Sequence, residues 1–468
     1  MKPVKLLDSA FLHIETAATP MHVGALFVLA PAPGRSDFFA RFRRLVASRL
    51  GASEVFTRQA AALPLSLANP FWVTANRVDL DHHLQLHRLP EPGGRRELED
   101  CVARLHERPL DRGRPLWELH VIEGYEGTGR AVYVKVHHAG LDGHSAQLFL
   151  RAFVDEARRP GARRTVRTPR GAPLDAARLL SAGASHQLAE LRRLPAHLTG
   201  LARTAVKMVR DAAARREASS PAVPSTPLNV VISGRRSFAC VEVGLDEAKA
   251  IARAAEVTIN DVVLAAISGG LRAWLEGREC LPEAPLYAGV PVSVRAPGAT
   301  EHAIQVAFIA VNLHTHEARP ARRLAAIHDS AAAAKRSVAT FRMLVPEDSP
   351  SIGMPWLIGG LGQLLRLPQV ADRIPLPFNV IVSNVPGPPE QFFIAGSRVL
   401  TYYPLSIPFH RNALNISAYS YAGKLFFGLT ACPDAVPDVE AIADATVREF
   451  GALARATRPA RRRRRKAA

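Results

Sequence analysis

The sequence predicts an α/β protein built as two sandwich-like domains joined by a basic linker. Three observations carry this. Strand-like and helix-like hydrophobic patterns alternate through residues 1–157 and again through 228–457. Between them, residues 158–227 are rich in Arg, Ala, Pro and Ser and poor in β-branched side chains. At 468 residues, 48% of them hydrophobic, the chain is too long for one ordinary core and has the material for two. A ligand site is expected where the two domains meet.

In the first region, Met21 to Leu29 reads as a strand and Ser36 to Leu50 as a basic amphipathic helix. Leu116 to Ile122 and Ala131 to His137 read as two further strands, and Gly143 to Ala157 as a helix. Within the linker, Ala184 to Arg216 reads as a helix with leucines on one face and arginines and lysines on the rest. In the second region, Asp246 to Ala255 reads as a helix. Thr258 and Asp261 form a capping box ahead of the apolar run Val262 to Leu275. Leu286 to Val294, Gln305 to Leu313, Phe378 to Ser383, Leu414 to Ser420 and Lys424 to Ala431 read as strands. Residues 458–468 form a basic tail. The run Ile352 to Ala371, apolar and glycine-interrupted, reads as a buried helix lining a substrate tunnel, with a lipid-facing helix as the alternative.

The formal charge is +18, of which Arg461 to Lys466 supply six, so the excess is not confined to the tail. Such a surface suits nucleic acid, an anionic membrane or a phosphate-bearing substrate. No nucleic-acid-binding signature is present, which leaves the last two. The four cysteines are scattered, so neither a disulfide framework nor a cysteine-based zinc module is expected. No zinc-helix motif occurs, and no metal site is predicted. The first fifteen residues lack the apolar core of a signal peptide, and no run of about 18 apolar residues marks a spanning helix. The expectation is a cytoplasmic protein that meets membranes from their surface.

The segment with chemistry in it is His137-His138-Ala139-Gly140-Leu141-Asp142-Gly143. If the preceding strand ran through it, His138 would share a face with Val132, Val134 and Val136, and His137 one with Tyr133 and Lys135. The two rings would then point apart, and one alone could face a given cavity. Histidine suits removal of a proton from a hydroxyl near neutral pH. Asp142 could orient the ring or hold the turn. A second pair, His82-His83, has no Asp-Gly after it and reads as structural. Gly143-His144-Ser145-Ala146-Gln147 lacks the final glycine of a lipase elbow.

Residues 137–143 match H-H-x-x-x-D-G, and further blocks keep a common order along the chain. They are Asp8 to Glu15 with Pro20 to Gly24, Pro109 to Arg112 with Arg114 to Glu118, and Thr258 to Leu264. Val290 to Arg295, and Val382 to Pro389 with Leu414 to Ser417 and Ser420 to Gly423, complete the set. Together they resemble the bacterial wax ester synthase/diacylglycerol acyltransferases of the chloramphenicol acetyltransferase and condensation-domain superfamily. The resemblance implies two chloramphenicol-acetyltransferase-like domains with an active-site tunnel at their junction. It implies transfer of a long-chain acyl group from acyl-CoA to diacylglycerol or a long-chain alcohol, with acyl-CoA as substrate and no separate cofactor. His138 would be the general base, with no covalent acyl-enzyme.

Other roles follow from the same resemblance. Asp142 would be structural, paired with a cation such as Arg295. Gly143 would let the chain pass close to substrate. Asn260 would face the site or simply accompany the helix cap, while Ser383 and Asn384 would line the tunnel, donate to the oxyanion, or form a turn before Pro386. Ala303-Ile304 stands where the family often has Gly-Asn, which bears on acceptor preference. The rival readings are a superfamily acyltransferase for another alcohol, or a silent lipid-binding protein. A water-insoluble acceptor also implies contact with an anionic membrane or lipid-droplet surface.

Overall fold

A computed structural model describes residues 1–31, 37–64, 68–141, 143–156, 167–173, 175–192, 223–293, 306–341, 354–371, 373 and 377–458. Two large sheets organise them. The first has five strands, ordered Tyr403–Leu405, His22–Leu29, Gly129–His137, Trp117–Tyr125 and Leu84–Arg88. Its pairs are antiparallel except the last. The second has six, ordered Val306–Asn312, Tyr287–Ser293, Val380–Val385, Leu414–Tyr421, Lys424–Ala431 and Ser237–Gly244. Val380–Val385 runs parallel to both its neighbours, and the remaining pairs are antiparallel.

The expected strands and helices in the described regions are present with ends shifted by a few residues. Helix Phe38–Arg49 starts where the Asp37 side chain accepts from the Ala40 N–H. Helix Ile259–Glu276 starts at the expected capping box: the Thr258 hydroxyl accepts from Asp261 N–H, and the Asp261 carboxylate accepts from Thr258 N–H. From Asp261 to Leu271 every residue of this helix is buried, and all but Asp261 and Ser268 are apolar, as a buried stretch requires. It packs with helix Val439–Ala456 over the six-stranded sheet, where Val263, Leu271, Leu414, Leu429 and Ile442 lie in one core.

The five-stranded sheet is covered on both faces. Phe27, Phe42, Phe56, Trp117 and Phe153 fill one side. On the other, Leu26, Ile122 and Tyr133 pack against helix Arg95–His106 and against Phe238 and Cys240 of the six-stranded sheet's edge strand. Glu99 on that helix accepts from the Cys240 N–H at 2.8 Å. Strand Tyr403–Leu405 pairs with His22–Leu29 of the first sheet while packing across Lys424–Ala431 of the second. Gly428 makes this approach possible, because a Cβ there would sit 1.7 Å from the Pro404 carbonyl oxygen.

Two expectations change. The strand carrying the histidine pair ends at His137, and His138 to Gly140 form a 3₁₀ turn. His138 is therefore aimed by a turn, not by strand alternation. The run expected to be buried forms helix Met354–Leu364, yet Trp356 is 57% and Leu357 66% exposed, and Leu361, Leu364 and Leu367 also face outward. Its glycine side is what packs: a Cβ at Gly362 would lie 3.2–3.4 Å from Ile14 of helix Leu6–Ile14. Glycines give a close helix–helix approach, and the bulky side chains are left on the opposite side. In the linker, residues 176–192 are helical; residues 193–216 of the expected helix, and the 459–468 tail, lie outside the described residues.

Gly428→Ala is expected to lose about 1–3 kcal/mol of stability through overpacking. Gly360→Ala, on an exposed helical position with open space around it, is expected to gain up to about 1 kcal/mol. Denaturant unfolding of both variants beside the parent checks this pair.

Candidate active site

The turn at His138 is held from three directions. From the sheet, the His138 N–H donates to the Met21 carbonyl at 2.8 Å, one residue before strand His22–Leu29. From its own neighbour, the Ala139 N–H donates to Nδ1 of His137 at 3.1 Å. From helix Leu6–Ile14, the Phe11 ring stacks on the His138 imidazole, with centroids 4.1 Å apart and planes 21° from parallel. His137 itself is fully buried, with Nε2 3.3 Å from Oε1 of Glu15.

Glu15 is the hub behind this turn. Its Oε1 also accepts from the Met21 N–H at 2.8 Å. Its Oε2 accepts from Arg112 through Nε at 2.9 Å and Nη2 at 2.6 Å. The same Nη2 donates to the Leu12 carbonyl in the last turn of helix Leu6–Ile14. Burial would raise the Glu15 carboxyl. The hydrogen bond of His137, then Arg112 and the Met21 N–H, outweigh it and hold the group at about 2.

His138 is partly buried. Burial first, and then the neighbouring His137, pull its pKa down to about 4, while its own backbone carbonyl acts the other way. The ring is thus neutral near pH 7. Nδ1 is the buried nitrogen of the ring. A proton on Nδ1 leaves the lone pair on Nε2. The arrangement supplies a neutral, oriented imidazole with one basic nitrogen available.

Other sequence-predicted residues fall in different places. Asn384 Nδ2 lies 3.4 Å from Asn260 Oδ1, so these two meet. Thr258 and Asp261 make the helix cap, which leaves the Asn260 side chain available for this contact. Ser383 precedes Asn384 on strand Val380–Val385, so the two side chains leave opposite faces of the sheet. They cannot line one cavity together. Gly143 opens helix Gly143–Phe153. Asp142, Arg295, Ala303 and Ile304 lie outside the described residues. His83 stacks on Trp117 at 4.2 Å and its Nδ1 contacts the Trp117 carbonyl at 2.7 Å, a structural placement.

The residues that sequence reasoning did not single out are Phe11, Glu15 and Arg112. The available signal was spacing. Phe11 and Glu15 are four residues apart, hence on one side of a helix, and both stand close before the strand that pairs with the His137 strand. Arg58 is a fourth: its guanidinium donates to the Gly140 carbonyl at 2.7 Å and lies over the Trp72 ring. It borders an open cleft of about 470 Å³ with Glu54, Trp72 and Arg178. Among the described residues, no group of three or more His, Cys, Asp or Glu side chains is placed to hold a metal ion.

Comparison with known proteins gives a consistent picture. The family model described as the wax ester synthase/diacylglycerol acyltransferase catalytic domain matches residues 4–263, and the WS/DGAT C-terminal domain matches residues 305–454. A Mycobacterium tuberculosis protein named as a candidate diacylglycerol O-acyltransferase is 36% identical over 439 residues, covering 93% of this chain and 96% of its own. A Mycobacterium bovis protein with the same designation is 35% identical over 477 residues, covering 96% and 90%. Among solved structures, the wax ester synthase/diacylglycerol acyltransferase of Marinobacter aquaeolei VT8 superposes with a TM-score of 0.71 at 29% identity, covering 97% of this chain and all of that one. The first condensation domain of the calcium-dependent antibiotic synthetase, at 16% identity and a TM-score of 0.55, shares the fold over 97% and 94% of the two chains.

The depressed histidines set a pH dependence of stability. Burial holds His106 at about 3 and His83, His138 and His410 at about 4, against 6.5 for an ordinary ring. Between those values the unfolded chain binds protons that the folded chain does not, so stability is present above pH 6.5 and is lost as pH falls toward 4. Glu15, held at about 2 against 4.5, extends the loss to lower pH. Urea unfolding at pH 7.5, 6.0 and 5.0 is expected to give successively lower midpoints.

Proposed function

Since the chain belongs to the wax ester synthase/diacylglycerol acyltransferase family, we propose that it moves a long-chain acyl group from acyl-CoA to diacylglycerol, a long-chain alcohol, or both. The observation that carries the mechanism is the oriented, neutral imidazole of His138. Nε2 takes the proton of the acceptor hydroxyl as its oxygen attacks the thioester carbonyl. The tetrahedral intermediate collapses, the C–S bond breaks, and the proton on His138 passes to the departing thiolate. No acyl-enzyme forms, and acyl-CoA is a substrate, so the reaction draws on no further cofactor. A positioned base contributes roughly 10²–10⁴-fold. Alignment and oxyanion stabilisation supply the rest. The Asn260–Asn384 pair offers amide groups for binding one substrate. In this reading Asp142 holds the turn, with Arg295 as its partner.

The acceptors are water-insoluble, and no helix among the described residues is long and apolar enough to cross a membrane. The reading therefore includes peripheral binding to an anionic membrane or lipid-droplet surface. Helix Met354–Leu364 supports it, because Trp356, Leu357, Leu361 and Leu364 are exposed beside Arg366. Burying one leucine-sized side chain gains about 1.5–3 kcal/mol when complete. Each basic residue near an anionic surface adds about 1 kcal/mol. The helix packs through its glycine side on helix Leu6–Ile14, which carries Phe11, so one helix stands between it and the His138 turn.

His138→Ala is expected to lower CoA release from palmitoyl-CoA plus acceptor by roughly 10²–10⁴-fold in a folded protein. Near-normal turnover would refute the base assignment. In the parent enzyme the acid limb of kcat/KM is expected near pH 4, well below the 6.5 of an ordinary histidine. A limb at 6.5 would contradict the lowering of the His138 pKa by burial.

Cosedimentation tests the lipid contact. Binding to vesicles containing phosphatidylglycerol is expected to exceed binding to neutral vesicles and to weaken with salt. The Trp356→Ser, Leu357→Ser double variant is expected to bind less to both. A double variant that sediments like the parent would remove this helix from the contact.

A further inference from the structure

Behind His138 the structure holds a connected chain of polar contacts. Glu15 reaches the turn by two routes. On one, Oε1 contacts Nε2 of His137, and Nδ1 of His137 accepts the Ala139 N–H inside the turn. On the other, Oε1 accepts from the Met21 N–H, and the Met21 carbonyl accepts from the His138 N–H. The carboxylate thus touches residues on both sides of the His138 backbone. Its side chain is 6% exposed, and Arg112 occupies its second oxygen.

The hydrogen-bond directions fix a tautomer. A backbone N–H can only donate, so Nδ1 of His137 must present a lone pair to Ala139. The His137 proton then sits on Nε2, the nitrogen 3.3 Å from Glu15 Oε1. An anionic Glu15 stabilises that arrangement, and Arg112 stabilises the anion. Were His137 protonated on Nδ1, the Ala139 N–H would lose its acceptor in a buried place. Leaving a buried donor unpaired costs about 1–3 kcal/mol, enough to reshape a three-residue turn.

We propose that Glu15, acting through His137 and Met21, is a positioning residue that sets the orientation of the His138 ring. Phe11 belongs to the same device. It stands one helical turn before Glu15 and stacks on the ring whose backbone Glu15 anchors. Arg112 closes the unit by tying Glu15 to the helix carbonyl of Leu12. The first histidine of the pair therefore serves the second by fixing its backbone. The proposal rests on His138 being the base.

Two measurements decide it. The first is steady-state CoA release by Glu15→Gln, His137→Ala, their double variant and His138→Ala. Glutamine keeps the shape and removes the charge. The kcat of Glu15→Gln is expected to fall on the order of 10- to 100-fold, the cost of a slight misplacement, with KM for palmitoyl-CoA unchanged. The double variant is expected to lose no more than the worse single one, because both act through one chain. Unchanged kcat in Glu15→Gln, or additive losses, would overturn the proposal. Activity retained by His138→Ala would instead overturn the base assignment on which it stands.

The second measurement needs no variant with altered folding. A two-bond ¹H–¹⁵N correlation on histidine-labelled parent protein, with His137 assigned by difference, reports its tautomer. A neutral ring protonated at Nε2 is expected. Any form with a proton on Nδ1 would overturn the proposal, whether or not Glu15→Gln folds.

Discussion

The constraint on which the site depends is the burial of strand Gly129–His137 on both faces. Val132, Val134 and Val136 meet an apolar core, as a central strand should. The other face carries Tyr133, Lys135 and His137, all with no solvent exposure. Three polar groups in a row cannot stay there without partners, because each would cost several kcal/mol. The surrounding structure supplies them. Lys135 directs its three ammonium hydrogens at the carbonyls of Leu105 and Arg108 and at Glu118. The Tyr133 hydroxyl meets Nδ1 of His106 at 2.6 Å. His137 meets Glu15. Helix Arg95–His106 and the Glu15 corner are therefore fixed relative to the strand by polar contacts as well as by packing.

That buried layer also explains the electrostatics. The region is crowded with cation-capable groups, and burial leaves most of the rings neutral. His22 lies far below its ordinary value because of burial, then the charges of His106 and Lys135. The two carboxylates that remain ionised, Glu15 and Glu118, do so because His137 and Arg112 hold one and His120 and Lys135 the other. A neutral His138 beside this layer is the expected result of sharing its low dielectric. An imidazole kept neutral well below pH 7 is in the form that can accept a proton, at some cost in intrinsic basicity.

The two halves of the chain are joined at strand Tyr403–Leu405. It pairs in the first sheet and rests on the second, with Gly428 admitting its backbone. Residues from the second half thereby brace strand His22–Leu29, whose preceding residue, Met21, holds His138. A disturbance at Pro404 has a direct structural route to the turn.

The sequence by itself determined the alternating α/β pattern, most of the long strands and the Thr258–Asp261 cap. These are legible because hydrophobic period and capping chemistry act over neighbouring residues. It also carried the family resemblance, in ordered blocks spread along the chain. Tertiary structure decided the rest. How His138 is held depends on the Met21 carbonyl and the Phe11 ring, both more than a hundred residues away. Whether Met354–Leu364 is buried depends on which side its glycines find a partner, and helix Leu6–Ile14 takes the glycine side. Glu15 and Arg112 are ordinary charged residues in the sequence, 97 positions apart. They become a unit only when folding buries Glu15 beside His137 and leaves the half-exposed Arg112 to meet its second oxygen, because a buried charge must find a partner and the chain alone does not say which.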